Sequence, residues 1–99
     1  MRTILTFTVP VEAGNAAIKS GGLQQVTDSL IASLKPEAAY FYAKDGKRCG
    51  ILVFDMKETS DIPSIAEPLF MQLNASVELC PCMDQADLQK ALAKVGAAT

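Results

Sequence analysis

The chain has 99 residues, 49% hydrophobic and 20% charged, with a formal net charge of -2 at pH 7 and no histidine. That length predicts one domain, residues 1–99, around a single core, and excludes two. A slight negative charge without a basic run argues against nucleic acid or an anionic membrane as a partner, and the missing histidine removes histidine acid–base catalysis and haem ligation by histidine.

The opening MRTILTFTVP interrupts its apolar residues with Thr3, Thr6 and Thr8, so it reads as neither a secretory leader nor a membrane span. With three cysteines, an odd number, the expectation is a cytoplasmic protein with reduced thiols. Residues 3–9 predict the first strand, with Leu5, Phe7 and Val9 on one face and Ile4, Thr6 and Thr8 on the other. Gly21-Gly22 interrupts the following helical pattern, predicting a helical or irregular lead-in over about 12–19 and a helix over about 23–34, which Pro36 prevents from continuing.

Residues 38–57, AAYFYAKDGKRCGILVFDMK, predict a hairpin around Asp45-Gly46 that has no polar face. A two-residue turn sets Lys44 opposite Lys47. A three-residue loop sets Ala43 there instead, brings Ala39, Phe41 and Ala43 onto the face of Cys49, Ile51 and Val53, and lets Tyr40 cover Gly50; this register is favoured. Ile62, Ile65, Ala66, Leu69, Phe70 and Leu73 give the clearest helical stripe, over about 61–73, with Ser60 as its cap and Pro68 predicting a bend. Residues 75–82 read as a last strand, placed at a sheet edge by Pro81, with Val77 and Leu79 opposed to Glu78, Cys80 and Cys82. Asp84, with Asp87 three residues on, caps a closing helix that should stop at Gly96, leaving 97–99 to fray.

This order is β-α-β-β-α-β plus a C-terminal helix, the ferredoxin-like arrangement, with a four-stranded antiparallel sheet and strands one and three in the middle. Its long helices cover one face only. The opposite face carries apolar hairpin side chains, so a second copy is expected to cover it, sheet on sheet. In the strand TILTFTV, the hairpin segment GILVFDM and the ending VELCPCMDQADLQKAL, the chain resembles the dimeric α+β barrel superfamily, a family that includes muconolactone isomerase-like enzymes, small monooxygenases and haem-degrading enzymes. The resemblance implies two protomers closing into a barrel, with a pocket between each sheet and its helices; no cofactor is expected. The missing histidine counts against a haem-degrading role.

No catalytic motif is present, and the leading expectation is a homodimer that binds a small apolar or aromatic molecule or serves as an interaction module. The rival is an isomerase or cofactor-free monooxygenase, with Glu78 as the carboxylate base and Tyr40 and Tyr42 orienting the substrate. Against these stand plainer readings: Glu78 as a carboxylate on an exposed edge strand, and both tyrosines as packing residues. On a strand, Cys80 and Cys82 would have Cα atoms about 6.6 Å apart, at the outer limit for a disulfide. A metal or redox role for them is a third alternative, and a structural role is favoured. Lys44, Asp45, Lys47 and Arg48 read as a solvated hairpin tip.

Overall fold

A computed structural model describes residues 1–98. Four strands, β1 (Arg2–Val9), β2 (Ala38–Lys44), β3 (Lys47–Asp55) and β4 (Ser76–Pro81), form one antiparallel sheet in the order β2-β3-β1-β4. Four helices accompany it, α1 (Val11–Ser20), α2 (Gly22–Leu34), α3 (Ile62–Leu73) and α4 (Gln85–Ala98). The chain is a small α+β domain compatible with a ferredoxin-like fold.

Strict alternation in β1 buries Thr3, Leu5, Phe7 and Val9 and leaves the residues between them half-exposed. On the same face, β3 presents Arg48, Gly50, Leu52 and Phe54, each directly opposite one of those four. Val26 and Leu30 of α2, Ile65, Leu69 and Leu73 of α3, and Ala17 of α1 complete the core. Burying each Leu, Ile or Phe here contributes about 1.5–3 kcal/mol. Among the described residues the one buried polar residue is Thr3, 1% exposed, whose hydroxyl donates to the Met1 carbonyl at 3.0 Å.

Gly21, at φ 81°, separates α1 from α2, and its N–H closes α1 on the Ile18 carbonyl at 3.2 Å. Ser60 does not cap α3, contrary to the sequence expectation. Its hydroxyl donates to Glu58 Oε2 at 3.1 Å, while Glu58 and Asp61 cap one another across a 3-10 turn over Thr59–Asp61. The helix α3 then continues through Pro68 to Leu73. At α4 the cap is reciprocal: Asp87 N–H donates to Asp84 Oδ1 at 2.9 Å, and Asp84 N–H to Asp87 Oδ2 at 3.3 Å. Gly96 lies within α4 rather than ending it, because its φ is not positive and it makes no left-handed stop. Of the fraying anticipated at 97–99, Thr99 lies outside the described residues.

The hairpin corrects the favoured register. Asp45 (φ 54°) and Gly46 (φ 74°) form a two-residue turn with Lys44 opposite Lys47, and Phe41, not Tyr40, lies across from Gly50. Two consecutive positive-φ residues give the primed turn, whose twist matches that of the strands. Packing fixes the same register. A Cβ at Gly50 would come within 2.5 Å of Phe7 Cε1 and Cζ and 3.1 Å of Phe41 Cδ1, so the two rings close over the bare backbone. They meet edge to face, with centroids 6.5 Å apart. Ala39, Phe41 and Ala43 therefore share the helix-facing side with Leu52, Gly50 and Arg48. Tyr40 and Tyr42 share the other side with Ile51 and Cys49.

Two surfaces lack a cover among the described residues. On the sheet face away from α1–α3 lie Tyr40, Tyr42, Ile51, Val53, Ile4 and Cys80. Along α4 every described side chain but Ala91 is exposed, including Leu88, Leu92 and Val95. The accessible surface is 6628 Å², against about 5,400 Å² for a compact 10.5 kDa monomer. The radius of gyration is 15.9 Å, against about 12.6 Å for a compact chain of this length. No described helix is long and apolar enough to cross a membrane.

Candidate functional site

The helix layer stops short of β2, five of whose seven residues are exposed. A cleft of about 580 Å³ opens there, between the α1–α2 junction and the edge of the sheet. Phe7 and Val9 form its floor, Ile18 and Leu23 one wall, and Phe41 the other, with Gln24 and Thr27 adding polar groups from α2. Ile18 and Phe41 are 53% and 52% exposed, so the cleft is accessible from solvent. Its walls are mostly apolar, with a few polar groups at the margin, which is the usual chemistry of a small-molecule site.

The charged residue on this cleft is Arg48. Alternation along β3, in register with β1, puts it on the helix-facing side, opposite Val9, where it is half-buried against α1. Reading Arg48 as part of a solvated tip is therefore corrected. Its Nη1 donates to the Val11 carbonyl at 3.4 Å and its Nη2 to Asn15 Oδ1 at 3.1 Å. The seat depends on Gly14, since a Cβ there would lie 2.5 Å from Nη1.

Tyr42 also borders the cleft, from the far side of β2. It lies across from Cys49, which is 4% exposed and accepts a hydrogen bond from the Thr8 hydroxyl at 3.7 Å. Hydrogen bonding to Cys49, then burial, raises the Tyr42 phenol above its ordinary pKa. It remains a neutral hydroxyl at physiological pH, able to donate but unsuited to act as a base.

Tyr40 and Glu78 lie in one cross-strand row of the uncovered face, Tyr40–Ile51–Thr6–Glu78, at opposite edges of the sheet. Three strand spacings of about 4.8 Å put their backbones about 14 Å apart. A single chain does not bring them onto one small substrate. Glu78 instead borders a polar depression of about 170 Å³ shared with Thr6, Thr8, Ser76, Lys44 and Lys47. Cys80 is exposed opposite Ile4, and Cys82 follows the strand, its N–H donating to the Arg2 carbonyl at 3.0 Å. No three Cys, Asp or Glu side chains converge as metal ligands among the described residues.

No protein-family model matches the chain, and no curated protein matches it either. Of the cleft residues, sequence reasoning singled out Tyr42 and missed Arg48, Leu23, Gln24 and Thr27. The usable signal for Arg48 was alternation: it stands two residues before Gly50 and four before Leu52, on the face that carries buried Leu52.

Proposed function

We propose that the chain is the protomer of a ferredoxin-like homodimer of the α+β barrel kind, which binds a small apolar or aromatic molecule between its sheet and its helices. The observation that carries the binding reading is the 580 Å³ cleft at the β2 edge, floored by Phe7 and walled by Ile18, Leu23 and Phe41. Titration with 1-naphthol, a neutral aromatic probe, followed by amide NMR shifts, tests it. The expected outcome is saturable shifts at Ile18, Leu23 and Phe41, lost when Leu23→Trp fills the cleft. Shifts confined to the outer sheet face, or none, would overturn it.

Support for the dimer comes from two uncovered apolar surfaces, the outer face of the sheet and α4. A helix of 14 residues is marginal in water without packing. A surface excess of about 1,200 Å² exceeds the roughly 800 Å² that each partner buries in a standard interface. A second copy accounts for both: α4 of each chain lies against the other, and the sheets face one another across a two-fold axis. Sedimentation equilibrium at micromolar concentration should return twice the chain mass; a monomer throughout that range would sink this part of the reading. In the dimer Tyr40 and Glu78 are interface residues, and the cleft carries the ligand.

A further inference from the structure

We infer that the ligand of the cleft is an apolar molecule bearing a carboxylate, with Arg48 as its anion-binding residue. The inference rests on the cleft being a binding site and adds the chemical class of what binds there. It follows from a contrast between the chain's two arginines. The Arg2 guanidinium is matched by three carboxylates, Glu37 at 2.6 Å and Asp84 and Asp87 at 3.2 Å each. Arg48 forms no ion pair among the described residues, and the two acceptors it meets, the Val11 carbonyl and Asn15 Oδ1, are neutral. A guanidinium carries five N–H donors in a planar fork suited to a carboxylate, so three donors remain for a ligand.

Position and surroundings point the same way. The cleft lining holds one cation and no Asp or Glu, so a bound anion meets attraction without a competing carboxylate. Arg48 is half-buried, though its guanidinium bonds to Val11 and Asn15 are at the surface, and charge-assisted hydrogen bonds are stronger than neutral ones. Gly14 leaves room for the guanidinium and Asn15 holds its Nη2 edge against α1, at the margin of the cleft, which limits the conformations a ligand must select. The apolar floor and walls then receive the rest of the molecule.

The test compares 1-naphthaleneacetate with 2-(1-naphthyl)ethanol, which share a skeleton and differ in charge, by calorimetric titration of the full chain. The carboxylate should bind at least about tenfold more tightly, as two charge-assisted hydrogen bonds imply. Added salt should weaken the carboxylate and leave the alcohol unaffected. Arg48→Gln should abolish the preference by weakening the carboxylate alone, and Arg48→Lys should retain part of it. Should Arg48→Gln fail to fold, the wild-type comparison and Arg48→Lys still decide. Equal binding of both probes to the wild type would overturn the carboxylate assignment and leave the cleft as a neutral apolar site. A preference that survives Arg48→Gln would overturn the role of Arg48. Binding of neither probe would overturn the cleft itself as a binding site.

Discussion

Gly50 shows how much one missing side chain decides in this sheet. Phe7 is buried and packs at van der Waals distance over that backbone, while Phe41 closes from the neighbouring strand. Gly50→Ala should destabilise the domain by about 1–3 kcal/mol, the usual cost of overpacking, measured as a lower urea midpoint with an unchanged slope. An unchanged midpoint would show that the Phe7 ring is free to move. Asp55, exposed at the other end of β3, gives a pH dependence. Hydrogen bonds from Lys57 and from the Met1 ammonium, each at 2.5 Å, lower its carboxyl from an ordinary 3.8 to about 2. A depressed carboxyl contributes stability that is full above 3.8 and is lost as pH falls through about 2. The stability difference between wild type and Asp55→Asn should therefore shrink across that interval. A constant difference from pH 6 to pH 2 would rule out the pairing as its source.

At the scale of elements, legibility followed locality. The alternation of β1, the glycine break before α2, the stripe of α3 and the Asp84–Asp87 cap all act within a few residues, and all are present where sequence placed them. The hairpin register was misread because it is decided between strands. Covering Gly50 suits either tyrosine or phenylalanine in sequence, but only Phe41 reaches Phe7 from the helix-facing side. That one-residue slip exchanges the faces of an entire strand, and with them the surroundings of Arg48 and both tyrosines. The helix α4 has a sound cap and an apolar stripe, yet Leu88, Leu92 and Val95 are 44%, 58% and 60% exposed. In the proposed dimer, Leu88→Asp with Leu92→Asp should weaken association by at least about 2 kcal/mol. The protomer's amide spectrum should otherwise be preserved, since neither leucine belongs to the core. Collapse of that spectrum would instead assign α4 to the protomer's own stability.

As a whole molecule the protein is 55 Å long and 18 Å thin, with an extended helix and a bare sheet face, less compact than is usual for a chain of 99 residues. The proposed dimer surface and the proposed ligand cleft lie on different sides of the sheet, the outer face and the helix-facing side, and meet where Tyr42 and Cys49 border both. Sequence by itself determined the α+β class, the element order and the two apolar surfaces of the hairpin, because each is set by composition, period or a nearby cap. Tertiary structure alone decided which surface carries the cleft, that Arg48 turns onto Gly14 and away from the solvated tip, and that Glu78 stands at the opposite edge from Tyr40. These depend on cross-strand register and on where the helix layer ends. Both are settled by contacts between residues far apart in the chain, whose summed packing outweighs any local preference.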